Sequence, residues 1–211
     1  GEINAGSRVL LTAQVVDGLF DNAINNSGII EAKDIEITGN GDIAILGGSN
    51  IAARNFQDQA QVKIQSTEGD ILIGDAEILA EIAMDDGEGG DGEARVDILA
   101  GSDDSLNSDV EVNSGEIEAS VEGEGAASVT IRAGNYEKIS GDDIPGGGES
   151  YDSTIDEIEH FSGNGSISLL NDSLLNSFVG SQPANPDERY KSSTVILTAK
   201  NIALDGSYVT A

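Results

Sequence analysis

A five-residue phrase recurs along this chain: glycine, any residue, isoleucine, any residue, then a small or aliphatic residue. It reads Gly1-Glu2-Ile3-Asn4-Ala5, Gly28-Ile29-Ile30-Glu31-Ala32 and Gly41-Asp42-Ile43-Ala44-Ile45. It returns at Gly69-Asp70-Ile71-Leu72-Ile73, Gly115-Glu116-Ile117-Glu118-Ala119 and Gly165-Ser166-Ile167-Ser168-Leu169. A repeat of this kind constrains a fold more than any local signal. Each unit has an apolar face that it cannot bury alone, so units stack on one another. Taken singly the stretches are very short strands; taken together they predict one solenoid.

A second phrase places branched residues two apart. Examples are Val9-Leu10-Leu11, Ile35-Glu36-Ile37, Val62-Lys63-Ile64, Val96-Asp97-Ile98, Val110-Glu111-Val112, Val129-Thr130-Ile131 and Val195-Ile196-Leu197. Alternation is the period of a half-buried strand, so the branched residues face a core. Glu36, Lys63, Asp97, Glu111 and Thr130 then face water. The two phrases alternate: Ile35-x-Ile37 precedes Gly41, Val62-x-Ile64 precedes Gly69, and Val110-x-Val112 precedes Gly115. Polar corners such as Gly39-Asn40-Gly41-Asp42 separate them, with glycine supplying the sharp bend. The same corners suit antiparallel hairpins of a β-sandwich, which is the competing architecture.

Elsewhere the repeat is interrupted. Val15 to Ile24, Thr154 to Phe161 and Leu169 to Val179 carry apolar residues at helical spacing and are read as short helical excursions. Glu77 to Met84 fits either a strand or a helix. Segments 84–93 and 141–152 are Gly/acid loops, and 181–191, with Pro183 and Pro186, is an exposed loop.

Composition narrows the function classes. Aromatic residues are 4% of the chain and Trp is absent, so Ile, Val, Leu and Ala must build the core, which suits a narrow solenoid. The formal charge of −29 opposes nucleic-acid binding, which needs a basic surface, and opposes docking on anionic membranes. It favours solubility, self-repulsion and attraction of divalent cations. Absence of cysteine excludes disulfides, thiolate catalysis and Cys-based zinc sites. No signal peptide and no membrane-spanning apolar run is visible. The chain starts and stops within repeat phrases, which leads us to expect a segment of a longer solenoid whose export signal lies elsewhere.

Catalytic and metal-binding candidates are few. Asp85, Asp86, Glu88, Asp91 and Glu93 sit among four glycines and offer oxygens for one calcium ion, which takes six to eight. Neither the EF-hand spacing nor an in-register calcium nonapeptide is present, so a solvated loop is the ordinary reading and no cofactor is required. Asp103-Asp104 and Asp142-Asp143 are paired carboxylates of the type that hydrolyse glycosides. The Gly-His-Asp and Arg-Ile-Lys phrases expected of a β-helix hydrolase are missing, and Asp pairs in such segments are ordinarily turn residues. His160 is the only histidine and belongs to no nucleophile set. Arg54, Arg95 and Arg132 are read as partners for carboxylates. The Asn-x-Ser sequons at Asn25, Asn164 and Asn171 arise easily in polar turns.

Two stretches carry a resemblance. Ala23-Ile24-Asn25-Asn26-Ser27-Gly28-Ile29-Ile30-Glu31-Ala32 and the run Ser192 to Leu204, with Val195-Ile196-Leu197-Thr198-Ala199 inside it, resemble the phrasing of filamentous haemagglutinin-like exoproteins. The likeness covers about residues 1–75 and 192–211, and extends more loosely over 94–134. It implies an all-β, right-handed parallel β-helix (β-solenoid) with loop or short helical excursions. Residues 1–211 would form one segment, with inserted loops at about 85–93, 135–161 and 181–191. At roughly 20–30 residues per coil and about 4.8 Å per step, such a segment makes a rod of about 30–50 Å.

The resemblance also implies function: a non-catalytic rod segment of a secreted adhesin or filament at a Gram-negative cell surface. A partner outer-membrane transporter would export the full-length protein. Its contacts would be a host or neighbouring-cell receptor or glycan, or other copies of itself, with no nucleic acid and no membrane insertion. The alternatives are a β-helix carbohydrate-active enzyme or carbohydrate-binding module, favoured by a groove lined with carboxylates plus aromatics or a basic residue, and a calcium-stabilised repeat domain.

Overall fold

The computed structural model describes residues 1–14, 22–56, 58–83, 92–101, 107–123, 125–134, 136–140, 157–161, 164–180 and 193–211. The alternating phrases fold as short strands, three to a coil. The first coil is β1 (Glu2–Asn4), β2 (Arg8–Ala13) and β3 (Asn22–Asn26). The second is β4 (Ile29–Ala32), β5 (Asp34–Gly39) and β6 (Asp42–Leu46); the third is β7 (Asn50–Asn55), β8 (Asp58–Ser66) and β9 (Ile71–Gly74). The fourth is β10 (Glu77–Ile82), β11 (Gly92–Ala100) and β12 (Val110–Asn113). The fifth starts with β13 (Glu116–Val121) and β14 (Gly125–Ala133), inserts β15 (Tyr136–Ser140) and β16 (Glu157–Phe161), and ends with β17 (Ser166–Leu170). The sixth is β18 (Leu174–Val179), β19 (Ser193–Thr198) and β20 (Asn201–Asp205), and β21 (Tyr208–Thr210) opens a seventh.

Each strand hydrogen-bonds to its counterpart one coil away, giving three sheets. Sheet A is β1-β4-β7-β10-β13-β18-β21, sheet B is β2-β5-β8-β11-β14-β19 and sheet C is β3-β6-β9-β12-β17-β20. All three are parallel throughout, and β15–β16 is the one antiparallel pair among the described strands. The architecture is therefore all-β and consistent with a β-helix or solenoid, and it rules out the hairpin-built sandwich. Seven strands of sheet A stacked at the inter-strand spacing span about 30 Å.

The register explains why isoleucine recurs. In sheet A, Ile3, Ile30, Ile51, Ile78, Ile117, Leu175 and Val209 occupy one rung position after another, 27, 21, 27, 39, 58 and 34 residues apart. Sheet B carries Leu11, Ile37, Ile64, Ile98, Ile131 and Leu197, and sheet C carries Ile24, Ile43, Ile71, Val110, Ile167 and Ile202. Buried residues from all three sheets meet in one aliphatic core. Burying an Ile or Val side chain stabilises by about 1.5–3 kcal/mol, so the ladders supply most of the driving force.

The opening phrase proves to mark two different corners. Gly1, Gly28 and Gly115 precede strands of sheet A, whereas Gly41, Gly69 and Gly165 precede strands of sheet C. The Val-x-Ile phrase belongs to sheet B, except Val110-x-Val112, which is β12 of sheet C. That copy therefore meets Gly115 at the C-to-A corner, unlike the B-to-C steps at Gly41 and Gly69. The C-to-A corner is built on one or two left-handed residues: Gly47 and Gly48, Asp75, Ser114, Asn171 and Asp172, and Gly206, with φ between 49° and 73°. The amides of Gly47, Asp75, Ser114 and Asn171 each donate to a carbonyl of the next coil.

Of the two readings open for Glu77 to Met84, the strand holds over Glu77–Ile82, which is β10. The helical excursions are corrected where they can be seen: residues 157–161 are strand β16, and Leu169 to Val179 is the end of β17 followed by β18. Leu170 and Leu174 lie four apart because a corner at Asn171-Asp172-Ser173 separates two strands, which mimics a helical period. Of Val15 to Ile24, residues 22–24 are in β3 and the rest lie outside the described residues, as do residues 154–156. Thr130 lies on the outer side of sheet B as expected, but it is only 8% exposed and its side chain bonds Asp97.

Candidate functional site

Insertions leave this scaffold at chosen places. Every C-to-A connection is short: Asn26 to Ile29, Leu46 to Asn50, Gly74 to Glu77, Asn113 to Glu116, Leu170 to Leu174 and Asp205 to Tyr208. The long ones all begin or end on a strand of sheet B. They run from Ala13 to Asn22, Ile82 to Gly92, Ala100 to Val110, Ala133 to Ser166 and Val179 to Ser193. Each long connection thus departs from or returns to the end of a sheet B strand, and connections on a regular scaffold are where binding function concentrates.

Charge separates the faces in the same way. The outer rows of sheet B carry Arg8, Lys63, Arg95 and Arg132 against Asp34, Glu36, Glu93 and Asp97, and so balance. Those of sheet A carry Glu2, Glu31, Glu77, Glu81, Glu116 and Glu118 against Arg54. Cations are interleaved between carboxylates of adjacent coils. Arg8 bonds Asp34 at 3.2 Å and Glu36 at 2.5 Å, Lys63 reaches Glu36 at 3.5 Å, and Arg54 lies between Glu81 at 3.0 Å and Glu31 at 3.8 Å. Such exposed pairs contribute at most about 1 kcal/mol each and act mainly to offset stacked like charge.

A trough of about 480 Å³ runs over sheet B between the fourth and sixth coils. Its floor is low because β14 presents Ala126 and Ser128 where β11 presents Glu93 and Arg95. Asp97 forms one wall. It accepts a hydrogen bond from Gln61 Nε2 at 3.3 Å and another from Thr130, and it lies close to Arg95 and Arg132. Burial pushes its carboxyl above the ordinary range, and Arg95, the Gln61 bond, Arg132 and Thr130 pull it partly back. A second groove, of about 440 Å³, follows the C-to-A corner and is lined by Asp75, Glu77, Glu116 and Asp172.

An aspartate column marks the B-to-C corner. Asp42 Oδ1 accepts the amide of Asp70 at 2.9 Å, Asp70 Oδ1 accepts that of Asp109 at 2.8 Å, and Asp109 Oδ1 accepts that of Ser166 at 2.7 Å. Each carboxylate clips the next coil. Burial raises the Asp70 carboxyl; the Asp109 amide opposes this, and the charges of Asp42 and Asp109 add to it. A carboxyl whose folded-state pKa is raised binds protons more readily folded than unfolded, so stability increases as pH falls. For Asp70 and Asp97 that gain begins at their raised values and is complete below the usual 3.8. Through these two groups the melting temperature is therefore expected to rise as pH falls through their raised values toward 3.8. Asp70→Asn keeps the acceptor for Asp109 and removes the central charge, so it should raise the melting temperature at pH 7 and weaken that pH dependence. A lower melting temperature for Asp70→Asn would contradict this reading.

The residues singled out in the sequence distribute unevenly. Asp85, Asp86, Glu88 and Asp91 lie outside the described residues, as do Asp103, Asp104, Asp142 and Asp143. Glu93 is in β11 and pairs with Arg95 on the same strand. His160 stands in β16 opposite Glu137 of β15. Asn164 accepts from Lys200 Nζ at 2.6 Å, and Asn171 forms the left-handed corner and donates to Asn113 at 2.9 Å. Among the described residues no cluster of three or more His, Asp or Glu side chains is arranged to hold a metal ion. The trough was invisible in the sequence. Its residues are spread over 93–132 and 194–196, and only the coil register brings them together.

Fold and site together define a scaffold of stacked parallel coils that presents one charge-balanced face, at whose strand ends the long connections leave or return. Comparison with known proteins yields no matching family, no matching curated protein and no matching solved structure.

Proposed function

We propose that this chain is a non-catalytic rod segment of a secreted Gram-negative surface adhesin or filament, built as a right-handed parallel β-helix of the filamentous haemagglutinin-like kind. The observation that supports it most is the unbroken register of aliphatic ladders through coils of very unequal length. Such a scaffold tolerates insertions of any size at its corners while keeping one continuous core, which suits a long surface rod that displays loops. The partner outer-membrane transporter and the cell-surface location come from the sequence resemblance. The test is to express the parent protein with and without its neighbouring transporter gene and to measure access of externally added protease. Surface exposure that depends on the transporter is expected; retention inside the cell in both cases would sink the proposal.

No cofactor is required in this reading. Melting in calcium and after chelation is expected to coincide, since the core ladders are complete without an ion. A drop on chelation would instead support the calcium-stabilised alternative built on Asp85, Asp86, Glu88, Asp91 and Glu93. The carbohydrate-binding alternative gains one specific observation, a groove in which carboxylates stand beside basic residues on sheet B.

A further inference from the structure

We propose that the trough on sheet B is a binding site for a neutral saccharide chain, held between Arg95, Asp97, Thr130 and Arg132 over the floor made by Ala126 and Ser128. The claim rests on the adhesin reading only for the source of the ligand, a glycan of a neighbouring cell.

Three observations converge on this face. It is the sheet at whose strand ends all the long connections leave or return. It is concave where coil five substitutes small side chains for the long ones of coil four, Ala126 for Glu93 and Ser128 for Arg95. And its polar groups come in both senses: carboxylates that accept, guanidinium groups that donate and hydroxyls that do either.

The charge balance selects the ligand class. A polyanion meets Glu93 and Asp97 directly and the field of a chain of net charge −29 at longer range. A polycation is drawn more strongly to sheet A, whose outer rows carry six glutamates against Arg54. A neutral polyhydroxyl chain matches alternating donors and acceptors and brings no charge to be desolvated. Its C–H surface has Leu99 and the half-exposed Ile196 to lie against. Among the described residues no aromatic side chain lines the trough, so affinity there rests on hydrogen bonds and is weak per site. Repetition along a longer rod would compensate by avidity.

The test uses the intact, isotope-labelled chain titrated with neutral oligosaccharides of glucose, galactose, mannose and N-acetylhexosamines, and with oligogalacturonate as the anionic probe. Backbone amide shifts report where binding occurs. Saturable shifts confined to β11, β14 and β19 are expected with at least one neutral oligosaccharide and not with the uronate. Ser128→Lys, which fills the floor from an outward-facing position, should abolish them. Asp97→Asn should weaken binding about tenfold or more, the loss of one charge-assisted hydrogen bond. Asp205→Asn on sheet C should change nothing. Far-UV circular dichroism of each variant separates loss of binding from loss of fold. No saturable shift up to about 10 mM, where binding is weaker than any useful affinity, overturns the proposal. So do shifts centred on sheets A or C, a preference for the uronate, or full binding by Ser128→Lys. Adhesion of cells displaying the parent protein is measured in parallel. Glycan binding without adhesion would remove the adhesin reading and leave the trough intact; adhesion unaffected by Ser128→Lys would do the reverse.

Discussion

Ile98→Ala is expected to destabilise the chain by about 2–5 kcal/mol, the range for truncating a fully buried aliphatic residue. Ile98 has no exposed surface and stands in register between Ile64 and Ile131 at the middle of the sheet B ladder. Its removal leaves a void that neither neighbour can fill, because each is fixed at its own rung. Ile202→Ala provides the contrast. Ile202 occupies a ladder position in sheet C, but it is 45% exposed on the last coil of that sheet. The same deletion there should cost about 1 kcal/mol or less, since little burial is lost. Urea denaturation of both variants measures the difference. Equal losses would mean that the ladder position does not determine burial, contrary to the fold.

Gly69→Ala is expected to produce the second large loss, about 1–3 kcal/mol or more, the range for overpacking a tight site. Gly69 opens the third strand of sheet C and lies directly over the preceding coil. A methyl group there would overlap the backbone of Gly41 and Asp42 and approach Asp42 Oδ1 to 2.6 Å. Backbone cannot step aside without parting the coils, and Asp42 Oδ1 is the atom that holds the Asp70 amide. Gly6→Ala is the matched control: nothing lies within 4 Å of a methyl group there, so it should be neutral within about 0.5 kcal/mol. Thermal melting of the pair decides. A neutral Gly69→Ala would mean that coils two and three are not stacked as closely as described.

Much of this scaffold could be read from the sequence. Alternation at Val62-x-Ile64 and Val96-x-Ile98 correctly gave short half-buried strands, and the repeated Gly-x-Ile phrase correctly gave stacking in place of hairpins. What the phrase could not distinguish was which corner each glycine serves. Gly115 and Gly165 sit in the same five-residue pattern, yet one opens sheet A and the other sheet C. The C-to-A corner was hidden for a chemical reason. Its left-handed position is filled by Gly47, Asp75, Ser114, Asn171 and Gly206, residues that share a conformation and not an identity. The helical expectation over Leu169 to Val179 failed because a corner of three residues between two strands reproduces a spacing of four.

The candidate site was much less legible. Lys63, Asp97 and Thr130 were recognised as outward-facing, but their adjacency depends on coil lengths set by the insertions. Asp97 lies 34 residues from Lys63, while Glu36 lies 27 from it, and nothing local announces either distance. That the long connections all meet sheet B follows only once every strand has been assigned to a sheet. The carboxylate loop at 85–93 drew attention by composition. The face that the fold singles out instead combines few charges of both signs with small residues, a pattern that composition averages away.

The central claim is that residues about one coil apart are neighbours in parallel register, and engineered cross-linking tests it most directly. The chain has no native cysteine, so introduced pairs report without interference. Gln65 and Leu99 face outward at adjacent rungs of β8 and β11. Gln65→Cys with Leu99→Cys is predicted to form an intramolecular disulfide in the monomer under mild oxidation. Gln65→Cys with Leu72→Cys, a pair that a tight hairpin would bring together, is predicted to stay reduced. The opposite outcome, a bridge in the second pair and none in the first, would contradict the stacked-coil architecture.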